Sequence, residues 1–303
     1  MLIGRAAGLT DTGRKRRQNE DAFVCDPPLF AIADGMGGAQ AGELASRLAA
    51  AVIEEGRSSL GGEAGVVGVV RTANARIFER ALQDPSVAGM GTTATVALVD
   101  ERAGSLTLAH VGDSRAYHFR DGVLEQLTTD HSLVGELVRT GRLTEAEAAV
   151  HPHRSVITRA LGTDADVEVD TRTVDLAPSD VVLLCSDGLS AMVRDEEIVQ
   201  VLESSGGDPH VAANALVRAA NDAGGEDNVT VVLFEIVEGE PPTRPQLETT
   251  AENAVEPTTV VPLSGEDDVR RHGAGRGSRW PALLLILTLL AIAAFALWWS
   301  LLR

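Results

Sequence analysis

Apolar residues in the first 237 positions fall into two patterns. Dense short runs at 29–33, 93–99, 105–111, 116–120, 181–186 and 229–236, most of them bounded by Gly or Asp turns, predict β-strands. Across 40–55, 66–82, 196–203 and 209–223, Ala, Leu and Val recur every three or four residues, the spacing that gives a helix one apolar face. Such helices would cover the sheets. No internal repeat of fixed period is present.

Beyond residue 237 the pattern changes twice. Residues 238–279 are rich in Pro, Thr, Glu and Gly with almost no large apolar side chains, which predicts a disordered tether. A coil of that length reaches on the order of 35 Å. From Trp280 to Leu302 no residue is charged, and 283–290 is almost entirely Leu and Ile, so 280–302 is expected to be one transmembrane helix. The alternative, a buried core helix, lacks the polar positions of an amphipathic pattern. Trp280, Trp298 and Trp299 suit the two interfaces. Arg270, Arg271, Arg276 and Arg279 put residues 1–279 in the cytoplasm by the positive-inside rule, with only Arg303 beyond the membrane. The first 17 residues lack the continuous apolar stretch of a secretory signal. Thr249, Thr250, Thr258 and Thr259 are either phosphorylation positions or part of a solvated spacer.

Composition narrows the function. The formal net charge of the 303-residue chain is -18, and residues 1–237 carry 20 basic and 36 acidic residues. That balance opposes a phosphate-rich polymer, so nucleic acid is excluded as a partner. Cys25 and Cys185 form no C-x-x-C pair, which fits reduced thiols in a cytosol rather than a disulfide framework or a zinc cluster. Lys15 is the only lysine.

Four short motifs place acids beside apolar runs or at turns: Asn19-Glu20-Asp21-Ala22, Ala33-Asp34-Gly35-Met36-Gly37-Gly38, Ser186-Asp187-Gly188-Leu189 and Glu226-Asp227-Asn228-Val229. A strand ending in Asp-Gly fixes a carboxylate on a rigid element and lets the next carbonyl turn towards an ion. Each alone is equally a hairpin turn. Their order and flanks, with Arg16-x-x-Asn19, Gly91-Thr92-Thr93, Val111-Gly112-Asp113-Ser114-Arg115, His151-Pro152, Arg159-Ala160-Leu161-Gly162 and Asp227-Asn228-Val229-Thr230, resemble the bacterial branch of the PP2C (PPM) metal-dependent protein phosphatases. The resemblance covers essentially all of residues 5–237.

It implies an α+β fold, a four-layer αββα sandwich of two antiparallel sheets flanked by helices, in a domain spanning 1–237. It also implies hydrolysis of phosphoserine and phosphothreonine by a water bridging two Mn²⁺ or Mg²⁺ ions, without a phosphoenzyme. By position, Asp34 bridges both ions and the Gly35 carbonyl binds one of them. Asp187 and Asp227 complete one shell, while Glu20 and Asp21 hold the other ion largely through water. Oxygen-only ligation suits Mg²⁺ or Mn²⁺ rather than Zn²⁺. Arg16 corresponds to the family's phosphate-binding arginine, although it sits in the basic run Arg14-Lys15-Arg16-Arg17, which is otherwise a solvated face. Asp113 corresponds to a third-metal position, the alternative being a turn closed by a local Asp113–Arg115 pair.

Residues 132–149 correspond to a variable flap beside the active site. Met36 stands where eukaryotic members often carry a histidine proposed as general acid. His131 and His110 are candidates for that role, each equally readable as structural. Cys185 reads as packing, since no C-x₅-R loop accompanies it. Partners implied by the resemblance are phosphoproteins, including membrane Ser/Thr kinases. Two alternatives differ in class: a metal-binding pseudophosphatase scaffold that recruits phosphoproteins to the membrane, and a nucleotide phosphoesterase, for which no P-loop is present.

Overall fold

The computed structural model describes residues 1–239; the expected membrane helix, and the tether beyond Gly239, lie outside the described residues. Among the described residues no helix is long and apolar enough to cross a membrane.

In chain order the elements are β1 (Leu2–Asp11), β2 (Asp21–Asp26), β3 (Leu29–Met36), α1 (Ala39–Glu55), α2 (Gly62–Gln83), β4 (Gly91–Thr92), β5 (Ala94–Asp100), β6 (Ser105–Val111), β7 (Arg115–Arg120) and β8 (Val123–Gln126). There follow α3 (Leu133–Arg139), α4 (Glu145–Ala149), β9 (Asp170–Asp175), β10 (Val181–Cys185), α5 (Asp187–Ser190), α6 (Asp195–Ser204), α7 (Pro209–Asp222) and β11 (Val229–Val237). One antiparallel sheet runs β1-β11-β10-β7-β8 and the other β2-β3-β5-β6-β9, with β4 against β3.

Strands buried on both faces carry continuous apolar runs instead of alternation. In β3, Phe30 and Ile32 join Val182, Leu184, Val232 and Phe234 in the core between the sheets, where the Phe30 and Phe234 rings stack at 4.0 Å. Leu29, Ala31 and Ala33 turn the other way and pack under α1 and α2, with Ala45, Ile53, Val70 and Ile77. Val181, Leu183 and Cys185 of β10 likewise meet Leu216 and Val217 of α7. Three apolar cores thus separate four layers, the expected αββα order. Truncating Phe30 to Ala would cost about 3–5 kcal/mol.

The strand and helix expectations hold to within a few residues, and the differences are local. β3 continues through Asp34 to Met36 because β4 pairs with Gly35 and Met36. β1, β2, β8 and β9, which the apolar runs did not signal, are the four sheet edges. The segment 132–149 folds as α3 and α4. Ser132 caps α3 by accepting from the Gly135 N–H at 3.1 Å, and Thr144 caps α4 with Glu147 in a reciprocal box.

Candidate metal and phosphate site

A cleft of about 360 Å³ opens where both sheets end, lined by Arg16, Glu20, Asp34, Gly35, Asp113, Asp187 and Asp227, with Met36 and Arg17 at its walls. Seven of the eight residues singled out from sequence therefore meet in one place. Asp21 is the exception, since it is not part of the lining. It lies directly opposite Asp34 across the β2/β3 ladder, and its Oδ2 accepts from Ser186 Oγ at 2.9 Å and Thr230 Oγ1 at 2.6 Å.

The backbone around Asp34 is fixed by two threonines. The Asp34 N–H donates to Thr93 Oγ1 at 2.9 Å, and the Asp34 carbonyl accepts from Thr92 Oγ1 at 2.8 Å and from the Thr93 N–H at 2.9 Å. Thr93 Oγ1 also meets Ser114 Oγ at 2.7 Å, tying this strand to the Gly112–Ser114 turn that carries Asp113. The Gly-Thr-Thr motif is thus a bracket for the acid-bearing strand. Gly35 and Gly42 let α1 cross β3 closely: a Cβ on Gly35 would stand 2.2 Å from the Gly42 carbonyl oxygen.

Asn228 organises the other wall. Its Nδ2 donates to the carbonyls of Thr12 and Gln18, both at 2.9 Å, and its Oδ1 accepts from the Glu20 N–H at 2.8 Å. The loop bearing Arg16 and the start of β2 are thereby anchored beside Asp227.

Crowded carboxylates raise one another's proton affinity. Burial, then the negative charge of Asp21, Asp187, Asp113 and Asp227, holds the Asp34 carboxyl well above the usual range. Asp187 rises to about 6, through burial and Asp227, against a hydrogen bond from Asp34. Burial pushes Asp21 up to about 7 and Asp113 to about 8. Two cations offset this: Arg16 Nη2 holds Asp227 Oδ2 at 2.6 Å and Nη1 stands 3.9 Å from Glu20 Oε1, and the charge of Arg115 acts on Asp113 and Asp187.

The donor set fits a hard divalent cation. It is all oxygen, and two buried oxygens, Asp21 Oδ1 and Asp113 Oδ1, have no hydrogen-bond partner. Among the described residues no three acidic, His or Cys side chains stand grouped as a preformed coordination shell. Two of the acids are engaged elsewhere: Asp227 is drawn to Arg16, and Asp21 to two hydroxyls. The local Asp113–Arg115 pair is absent, because Arg115 grips Asp130 with Nε at 3.0 Å from Oδ1 and Nη2 at 2.8 Å from Oδ2.

Neither candidate histidine lines the cleft. His110 is buried between Thr95 Oγ1 and the Thr129 carbonyl, and His131 takes the Gly112 N–H on Nδ1 at 3.0 Å. Cys185 is fully buried, and burial pushes its thiol up to about 12, as packing requires. Asn228, Thr92, Thr93, Ser186 and Thr230 all occur in the motifs, but nothing in the sequence assigned them their supporting roles.

The profile of the family described as Protein phosphatase 2C matches residues 14–229. The serine/threonine phosphatase Stp of Listeria monocytogenes is 38% identical over 238 residues, covering 75% of this chain and 93% of that protein. PstP of Mycobacterium tuberculosis is 40% identical over 286 residues, 91% of this chain; the chain spans about half, 52%, of that longer relative. A crystal structure of the PstP catalytic domain with two manganese ions superposes with a TM-score of 0.72 at 38% identity, over 78% of this chain and all of that one. Sequence, fold and the gathered acids agree, and the chain belongs to the protein phosphatase 2C family.

Proposed function

We propose that this chain removes phosphate from phosphoserine and phosphothreonine in proteins, and that the acid-lined cleft is where it does so. One juxtaposition carries the reading: Arg16 shares the cleft with Asp34, Asp187 and Asp227. Carboxylates alone would repel a phosphate dianion, so the site needs bound cations as well. The cofactor is Mn²⁺ or Mg²⁺, and the related PstP catalytic domain was crystallised with two manganese ions.

Asp34, the Gly35 carbonyl, Asp187 and Asp227 would hold two ions directly, Glu20 and Asp21 would act largely through water, and Asp113 would help hold a third. When bound, the ions neutralise phosphate charge and make a water acidic enough to ionise near neutral pH. Arg16 presents its planar fork to phosphate oxygens. Met36 faces the cleft and has no proton to give a departing Ser or Thr oxygen.

The decisive experiment is hydrolysis of p-nitrophenyl phosphate and a phosphothreonine peptide, in Mn²⁺ or in EDTA, beside Asp34→Ala and Asp187→Asn. Metal-independent turnover, or full activity in both variants, would sink the mechanism. A wild type that binds phosphopeptides without turnover would favour the scaffold reading.

The same proposal places residues 280–302 across a membrane, with residues 1–279 on the cytoplasmic side and membrane Ser/Thr kinases among the substrates. The uncharged run and the arginines before it support this. A C-terminal reporter active in the cytoplasm would contradict the orientation.

A further inference from the structure

The run Arg14-Lys15-Arg16-Arg17 divides in the structure. Arg16 turns inward to Asp227 and Glu20. Arg14, Lys15 and Arg17 are exposed and make no ion pair among the described residues. The nearby acids are already engaged: Glu226 pairs with Arg154 at 3.2 Å, and Asp11 accepts from the Gly13 N–H and from Asn221 Nδ2. Three uncompensated cations therefore stand together on a chain whose net charge is -18.

Their backbone is held in place. The Arg14 and Lys15 N–H groups both donate to the Gly225 carbonyl, at 2.7 and 3.1 Å, and Asn228 clasps the loop at Thr12 and Gln18. Gly13, with φ 79°, lies so close to the Asp227 carbonyl that a Cβ would come within 2.1 Å of its oxygen. Arg17 and Gln18 complete the mouth of the cleft. A merely solvated face needs no such anchoring, and it need not adjoin the cavity.

We propose that Arg14, Lys15 and Arg17 form a specificity surface that recognises Asp and Glu side chains flanking the phosphorylated residue of the substrate. The inference rests on the phosphatase reading of the cleft. On a chain of net charge -18, this turn sets uncompensated positive charge beside the phosphate site, where an acidic flank of the substrate would meet it.

The test uses the full chain with Mn²⁺ and phosphothreonine peptides of equal length whose flanks are Glu/Asp, Ala or Arg, with p-nitrophenyl phosphate as a substrate without flanks. At low salt kcat/KM for the acidic peptide should exceed that for the Ala peptide about fivefold to tenfold, mostly through KM, as a few exposed ion pairs allow. The ratio should approach one near 1 M salt, where screening acts within about 3 Å. The double variant Arg14→Ala/Lys15→Ala, which alters no cleft-lining residue, should keep p-nitrophenyl phosphate turnover and lose most of the preference. Arg14→Glu/Lys15→Glu should invert it towards Arg flanks.

Equal rates on all three peptides, or a preference unchanged in both variants, would overturn this inference alone. Turnover of no substrate would overturn the phosphatase reading and this inference with it. Variants that lose binding to anionic phospholipid vesicles while keeping peptide selectivity would assign the turn to a lipid surface and also overturn it.

Discussion

Asp21 and Asp34 face each other as direct partners across the β2/β3 ladder, two acids where an antiparallel sheet tolerates like charges badly. Ser186 and Thr230 donate to Asp21 Oδ2, while its Oδ1 is buried without a partner. Divalent cations bound here would relieve that repulsion. Asp21→Asn removes one charge and keeps an oxygen for both hydroxyls. In EDTA at pH 8 the variant should melt higher than the wild type, by about 2–4 °C for each kcal/mol of repulsion relieved. In saturating Mn²⁺ the order should reverse, because the wild type gains more from binding. Thermal melts in both buffers check this, and an Asn variant less stable than wild type in EDTA would contradict it.

Asn228 is 3% exposed and joins three backbone groups 208 or more positions away in the chain. Asn228→Ala should lower stability by about 2–4 kcal/mol, since it strands buried partners. It should also raise KM for phosphopeptides by loosening the Arg16 loop. Asn228→Asp, nearly the same shape, should be no better, because a carboxylate cannot donate to the Thr12 and Gln18 carbonyls. Urea unfolding with parallel kinetics is the measurement, and an Asp variant of wild-type stability would refute the donor role.

Much of this was legible in the sequence, and the rest was not for identifiable reasons. Runs such as 181–186 and 229–236 are dense because β10 and β11 are buried on both faces. β9, Asp-Thr-Arg-Thr-Val-Asp, is a sheet edge with most residues exposed, so no apolar signal could mark it. The acids were readable as ordered motifs. Asn228 lies in one of them, but its role depends on contacts across almost the whole chain, which spacing cannot carry. Asp113 had a plausible neighbour in Arg115, and only the fold shows Asp130 claiming that arginine.

Arg16 holds Asp227 in this structure and lines the same cleft, so removing it should weaken phosphate binding. On a phosphothreonine peptide, Arg16→Ala should raise KM by about tenfold to a hundredfold, the worth of a charge-assisted hydrogen bond to phosphate. Arg16→Lys should restore only part, lacking the planar fork. Steady-state kinetics with kcat and KM resolved is the check, and an Ala variant with both unchanged would remove the role.

His110 supplies a pH dependence that the carboxylates do not. It is 2% exposed, with Thr95 Oγ1 at 2.9 Å from Nδ1, the Thr129 carbonyl at 3.2 Å from Nε2 and the His131 ring at 4.8 Å. Burial, then His131, lowers its pKa to about 4. An unfolded histidine titrates near 6.5, so above that pH both states are neutral and full stability is present. As pH falls from about 6.5 to about 4 the unfolded chain takes up the proton first, and stability is lost by about 3 kcal/mol in all. The raised carboxylates act with the opposite sign, because their excess protons sit in the folded state. His110→Gln keeps a donor for Thr129 and cannot titrate, so its stability should fall less between pH 7 and 4.5 than that of the wild type. Urea midpoints across that range, compared as a difference between the two proteins, isolate the histidine. Parallel curves would mean that His110 is not the group that titrates.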